Sequence, residues 1–375
     1  MIIQKTLRGR GCLRKLPELT EKLGMKTPMI VGGEVLACKV RKALNNPDIP
    51  VFSAYHANPD LNDCEAGADL FIRKRCDGLI SVGGGSAIDT AKTVKARLAA
   101  SSMEEVRYNR FSAEGKTVHI AIPGTAGSGA EATDTAVVYD DGKKLSLSGE
   151  LLLPEGVVLD AELLATLPEY HRKSAALDAL AQGIESYWSR AATEDSRVHA
   201  YLAILGVLDN LKAYLAGDPH AEEEMLDAAH QGGKAIRITR TTAAHAMSYR
   251  LTKTFGIAHG HACMLTLPVL WEMMIGNKET EPVLRDLSAK MRLGNVHMAP
   301  KLLRGILYDM KLETPAMPDE ETLKTLAASV NPERLGNHPA HLTEAELLSV
   351  YRKAFTPLCD AERQACLDIW TYYGR

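Results

Sequence analysis

Two glycine-rich turns constrain this chain most. GGGS at 83–86 follows the apolar run GLISV and precedes a helical stretch beginning AIDTAK. PGTAGSGAEAT at 123–133 follows a second apolar run, HIAI. Glycines at a strand-to-helix turn let the backbone approach a ligand, and the free amides of the helix start favour an anion such as a pyrophosphate. Neither turn is a GxGxxG or a P-loop, and either alone reads equally well as a tight turn. Two such turns at the ends of parallel strands point to one crevice, the place where open α/β sheets bind ligands.

The rest of the first 160 residues fits that frame. PMIVGG (28–33), PVFSAY (50–55) and VVLD (157–160) are further short, β-branched runs bounded by Gly, Pro or Asp. Helical patterns lie between them, LNDCEAGADLFIRKR (61–75) and AIDTAKTVKARLAA (87–100). Strand alternating with helix predicts a doubly wound parallel sheet. AVVYDDGKKLSLS (136–148) predicts a hairpin turning at Asp-Gly. After Asp160 helical periodicity takes over, which predicts an α/β dinucleotide-binding domain over 1–160 and an all-helical metal and substrate domain over 161–375.

Composition narrows the class. A chain of 375 residues with 46% apolar and 24% charged side chains is an ordinary globular one. A net charge of −3 argues against nucleic acid as the main partner. Seven scattered cysteines without CxxC spacing read as reduced thiols, hence a cytoplasmic location. The N-terminus lacks an apolar signal core, and the longest uncharged run, Phe255 to Trp271, is too short and polar to span a bilayer.

In the helical part, Asp178 and Gln182 are four apart in ALDALAQGIESYW and share a face that reads as otherwise apolar. His245 and His259 follow in HAMSYRLTKTFGIAHGHA. Fourteen residues of straight helix would hold them ~21 Å apart, too far for one ion, so a shared metal requires a break between them. Gly256 is the credible break. Asp, His and His then form a candidate metal set, with His261 as a substitute for His259. The remaining histidines read as surface or packing residues.

Taken together, VGGGSAIDTAK (82–92), PGTAGSGAEAT (123–133), LPEGVVLDAEL (153–163), ALDALAQGIESYW (176–188) and the segment 245–262 resemble the iron-containing alcohol dehydrogenases. The resemblance runs from Gly9 to about Trp271. It implies the dehydroquinate synthase-like fold, a nicotinamide dinucleotide (NADP or NAD) on the first domain, and one divalent metal (Fe2+ or Zn2+) in the cleft between the domains. It places metal ligands at Asp178, position 182, His245 and His259, so that Asp178, His245 and His259 carry catalysis. Gly84, Gly85 and Ser86 would cradle the pyrophosphate, Thr125 and Ser128 would line the cofactor cleft, and Gly33, Asp89 and Lys144 would complete the cofactor contacts. It also implies a homodimer or larger homo-oligomer.

The sequence departs from the family pattern at two positions. Position 182, usually histidine, is Gln, a poorer ligand for iron or zinc. Position 249, where many members carry a second histidine, is Tyr. Gln182, the ESYWS that follows and TTAAHAMSY look like the subgroup that reduces phosphonoacetaldehyde to 2-hydroxyethylphosphonate. An anionic substrate tail calls for a cation near the metal, for which Arg237, Arg240, Arg250 and Lys253 are candidates. Glycine at 32 and 33, where NAD-using members carry Asp, points to NADPH, with Lys39, Arg41 and Lys42 as partners of a 2′-phosphate. The rival readings are a dehydrogenase of an uncharged alcohol or polyol, and a catalytically silent nucleotide-binding protein. A dehydroquinate synthase-like lyase fits the 182 segment less well.

Overall fold

Short runs of β-branched residues flanked by glycine cannot build a helical face, and in the computed structural model they form one parallel sheet. The structure describes residues 3–112 and 117–373. The strands are β1 Lys5–Arg8, β2 Pro28–Gly32, β3 Val51–Phe52, β4 Gly78–Gly83, β5 Val118–Pro123, β6 Thr135–Asp140, β7 Lys143–Ser148 and β8 Gly156–Leu159. Six of them pair in the order β1-β8-β5-β4-β2-β3, all parallel. Helices α1 Leu16–Lys22, α2 Glu34–Ala43, α3 Leu61–Arg73, α4 Gly85–Leu98 and α5 Met103–Arg107 connect them.

Strand alternation divides the core into two layers. Met29, Val31 and Leu79 pack with Cys64, Ala68, Phe71, Ala91 and Val94. Their neighbours Ile30, Ile80 and Val82 pack with Leu16, Leu19, Ala37 and Val40. A sheet buried on both faces in this way is the doubly wound arrangement that the alternation of elements predicts. The edge strand β1 was not foreseen, because KTLR offers no apolar run. The predicted hairpin is present, with Asp141 and Gly142 both at positive φ in the turn between β6 and β7. Lys92, fully buried on α4, fastens the 130–135 segment by donating to the carbonyls of Ala130, Thr133 and Thr135 at 2.6, 2.8 and 2.7 Å.

Beyond β8 the chain is helical: α6 Glu169–Trp188, α7 Glu194–Leu215, α8 Pro219–Thr239, α9 Ala243–Phe255, α10 His259–Met274, α11 Glu281–Lys290, α12 Met298–Asp309, α13 Glu320–Ala328, α14 Pro332–Leu335, α15 Glu344–Phe355 and α16 Asp360–Tyr372. Two compact units result. One comprises Met1–Leu167 with Ala216–Arg237, the other Pro168–Leu215 with Ile238–Arg375. The segment 216–237 therefore differs from the division expected at 160. Its polar side chains explain why: Glu222 pairs with Arg10, Asp227 with Arg8, and the buried His230 with the buried Glu131 at 3.0 Å. Within the second unit α6 packs against α7 and α10, with Trp188 on Trp271 at 5.6 Å between ring centroids. All seven cysteines are thiols. Among the described residues no helix is long and apolar enough to cross a membrane.

Candidate active site

In the first unit the two glycine-rich turns meet. The amide of Gly124 donates to the carbonyl of Gly83 at 2.7 Å, joining the ends of β4 and β5. Gly84 stands at the N-cap of α4, where it has no side chain to fill the helix start. A Cβ on Gly84 would lie 3.4 Å from Thr125 Cγ2, and one on Gly85 would lie 3.2 Å from Ser128 Oγ. The residues expected to cradle a pyrophosphate and those expected to line its cleft are thus neighbours. Gly33 holds the equivalent N-cap of α2 after β2. Such uncapped helix starts, side by side at the carboxyl ends of adjacent strands, suit an extended diphosphate.

The other expected cofactor residues are engaged within the protein. The Ser86 hydroxyl donates to the carbonyl of Ala57. Asp89 accepts from the amide of Val137 at 3.0 Å and so ties α4 to the hairpin. Burial pushes its pKa up to about 6 against the pull of Lys92, that amide and Lys144. Lys144 lies on β7 opposite Tyr139. Of the cations proposed for a 2′-phosphate, Arg41 bonds Glu34 and the carbonyl of Ile49, and Lys39 reaches the carbonyl of Glu162.

In the second unit the predicted break forms. α9 ends at Phe255, and Gly256 takes the left-handed conformation at φ 67°, its amide returning to Thr252 O at 2.9 Å. The chain reverses and α10 starts at His259. Gly260 permits the approach, since a Cβ there would sit 2.0 Å from the carbonyl of Ser174 on α6. Donor atoms of Asp178, His245, His259 and Cys263 consequently lie within 4.8 Å of one another. Nε2 of His245 is 3.2 Å and Nε2 of His259 is 3.9 Å from Asp178 Oδ1, and Cys263 Sγ is 3.9 Å from His259 Nε2. Gln182 is buried one turn along α6 and hydrogen-bonds the Asp178 carboxyl. His261 is outside this group. Its ring faces Tyr170 and its amide bonds Ser174 Oγ.

The proton positions suit a cation. Nδ1 of His245 bonds the carboxylate of Glu185, which also accepts from Thr242 Oγ1 at 2.5 Å and from the amide of Ala244 at 2.7 Å. Ser248 spends its proton on the carbonyl of His245 at 2.8 Å, so its oxygen accepts from Nδ1 of His259 at 3.1 Å. With Nδ1 so engaged, both imidazoles turn Nε2 toward Asp178 and Cys263, where loss of the Nε2 proton would expose a lone pair to a cation. Burial opposes the ionisation of Asp178, but the bond to His245 and the charge of His259 hold its pKa below the ordinary value. Burial likewise raises the Cys263 thiol, yet the two imidazoles outweigh it and bring the thiol down to about 7. The surroundings stabilise positive charge at the centre of the group. One carboxylate, two imidazoles and one thiol fit a divalent iron or zinc ion.

The sequence reading missed Cys263, Glu185 and Ser248. Glu185 had a signal: it lies seven residues after Asp178 on the same face of α6 and is wholly buried, so that face is not otherwise apolar, as had been expected. Cys263 had a signal too: it lies four residues after His259 and so shares a face of α10 with that expected ligand. Of the four cations expected near the metal, one is paired elsewhere and three lie at the surface. Arg240, Arg250 and Lys253 are exposed, and Arg237 pairs with Asp134 in the first unit.

Residues 4–161 match the iron-containing alcohol dehydrogenase family model, and residues 173–355 match the model of that family's C-terminal region. The chain is 34% identical to the phosphonoacetaldehyde reductase of Streptomyces viridochromogenes over 271 residues, 68% of this chain and 67% of that protein. It belongs to the iron-containing alcohol dehydrogenase family. Choline dehydrogenase of Bacillus subtilis is 27% identical across 92% of both chains. In fold the chain resembles the crystal structure of sulfoacetaldehyde reductase from Bifidobacterium kashiwanohense in complex with NAD+, with a TM-score of 0.86, 24% identity and coverage of 94% of this chain and 97% of that one. The fold of this family is thereby established for the chain, parallel α/β part and helical part alike.

Proposed function

We propose that this member of the family is a metal-dependent, NAD(P)H-linked reductase of phosphonoacetaldehyde, forming 2-hydroxyethylphosphonate. The observation that carries the reductase reading is the convergence of Asp178, His245, His259 and Cys263. The substrate reading rests on the similarity to the Streptomyces reductase together with Gln182 and Tyr249 at the two positions that depart from the family pattern. A divalent iron or zinc ion held by these donors supplies Lewis acidity toward a carbonyl oxygen. A nicotinamide dinucleotide, its pyrophosphate at Gly84, Gly85 and Ser86, supplies the hydride. In the net reaction the carbonyl carbon gains a hydride, the oxygen gains a proton, and the dihydronicotinamide is oxidised.

The chain's own residues prepare that chemistry. Glu185 and Ser248 fix the tautomers of His245 and His259. Gln182 holds the Asp178 carboxyl through its amide. Thr125 and Ser128 support the glycine turn from below, where a larger residue at 84 or 85 would crowd them. The reading includes a cytoplasmic homodimer or larger homo-oligomer, which sedimentation of the purified protein tests.

The deciding experiment is a panel of aldehydes assayed with both reduced cofactors after loading with Fe2+ or Zn2+. Phosphonoacetaldehyde is expected to give the highest kcat/KM, ahead of sulfoacetaldehyde and propanal. A protein that turns over only uncharged aldehydes or polyols contradicts the substrate, and one that turns over none contradicts the reductase reading.

A further inference from the structure

A chain of contacts leads outward from the donor group to a guanidinium. The Tyr249 ring stacks on the His259 ring, with centroids 5.4 Å apart and planes 12° from parallel. The Tyr249 hydroxyl accepts from Nη1 of Arg334 at 2.8 Å, and the guanidinium carbon lies 5.3 Å from the Tyr249 ring centroid. The same Nη1 donates to Thr241 Oγ1 at 3.2 Å. Two hydroxyls and an aromatic face therefore hold Arg334, which is half-buried on α14, one ring away from a proposed metal ligand.

We propose that Arg334 reads the anionic tail of the substrate, binding a phosphonate or sulfonate group while the aldehyde end faces Asp178, His245, His259 and Cys263. This deepens the proposed function and rests on it. Three physical points support the assignment. A guanidinium is a planar fork that matches two oxygens of a tetrahedral oxyanion, and it keeps its charge at every working pH. Its anchorage by Tyr249 and Thr241 leaves less side-chain freedom to lose on binding. In phosphonoacetaldehyde a single methylene separates the carbonyl carbon from phosphorus, so the cation that reads the tail belongs near the donor group. Arg334 is joined to that group through Tyr249, whose ring stacks on His259, while Arg237 is paired with Asp134. An uncharged aldehyde has no use for a guanidinium there. The departure from histidine at 249 also acquires a reason: a tyrosine hydroxyl reaches the arginine while its ring still stacks on His259.

The test compares wild type with Arg334→Met, Arg334→Lys and Tyr249→Phe, each checked for metal content. kcat/KM is measured for phosphonoacetaldehyde, sulfoacetaldehyde and propanal, and calorimetry follows binding of 2-hydroxyethylphosphonate to the metal-loaded protein without nucleotide. Arg334→Met is expected to lower the ratio of anionic to neutral kcat/KM by about a hundredfold, as loss of charge-assisted hydrogen bonds does, and to weaken 2-hydroxyethylphosphonate at least tenfold. Arg334→Lys should recover part of both. Tyr249→Phe, which keeps the stacked ring, should move the ratio the same way by a smaller factor, and these two variants carry the test if Arg334→Met does not fold. A wild type that prefers phosphonoacetaldehyde, with variants that keep its selectivity or lose all three substrates in proportion, overturns the role of Arg334 alone. A wild type without preference for anionic aldehydes overturns the proposed function and this inference together.

Discussion

Glu185 and His245 are joined by a carboxylate–imidazole hydrogen bond that is buried on both sides. The bond holds a proton of His245 on Nδ1 and aims Nε2, 3.2 Å from Asp178, as the atom that would ligate a cation. Ser248 does the same for His259. Partners that orient a ligand in this way typically contribute a factor of ten to a hundred in metal affinity.

Glu185→Gln is accordingly expected to weaken metal retention by about tenfold to a hundredfold, and Ser248→Ala by about tenfold. Competition with a chromogenic chelator measures both. A competition curve identical to wild type for the two variants would show that the imidazoles are oriented without them.

Cys263 and Gln182 make a paired prediction. Where the family pattern has histidine at 182, this chain has an amide bonded to Asp178, while a thiol comes from α10 instead. Thiolate is a stronger ligand than hydroxyl or amide for zinc and iron. The Co2+-substituted protein should show a thiolate-to-metal charge-transfer band in the near ultraviolet that Cys263→Ser abolishes. Gln182→His should make the metal harder to strip. A band that survives Cys263→Ser assigns the thiol no place among the ligands.

The legibility of this site followed the physics of each feature. The Asp/His/His set could be read because a glycine between two histidines resolves a distance problem that a straight helix cannot, and Gly256 does end α9. The meeting of the two glycine turns was legible because parallel strands deliver their carboxyl ends to one edge. Cys263, four residues after His259 on α10, could have been read from that spacing, whereas the role proposed for Arg334 could not, since it depends on packing between helices distant in sequence. Arg334 lies 85 residues from Tyr249, and no local pattern marks it. The thiol also bears on the silent-protein reading, which had rested on the loss of one histidine ligand: a fourth donor is present, supplied from another helix.

His338 should impose a pH dependence on stability. Its ring is buried against Trp188, with centroids 5.9 Å apart. Burial, together with the charge of Arg190, pushes its pKa down to about 4 from 6.5, against the opposing pull of Glu185. Below pH 6.5 the unfolded chain takes up a proton that the native ring refuses. Stability is therefore lost as pH falls from 6.5 toward 4, by up to about 1.4 kcal/mol per pH unit from this group. His338→Gln should flatten that limb in urea midpoints measured at pH 7, 6 and 5. Parallel limbs in the two proteins would assign the acid sensitivity to other groups.

Cofactor choice should be set at the end of β2. Gly33 occupies the N-cap of α2 at φ −70°, a conformation open to any residue, and a Cβ there meets nothing within 4 Å. Wild type is expected to prefer NADPH, because no carboxylate at 33 repels a 2′-phosphate or receives a ribose hydroxyl. Arg41 is committed to Glu34 and Ile49 and Lys39 reaches the carbonyl of Glu162, which leaves Lys42 as the candidate positive partner, and the preference should be modest. Gly33→Asp costs no packing and adds the missing acceptor. It should shift the ratio of kcat/KM toward NADH by about tenfold, or about 1.4 kcal/mol of differential binding. Both ratios are measured at one saturating aldehyde concentration. A wild type that favours NADH and is unmoved by Gly33→Asp would show that this loop does not read the 2′ position.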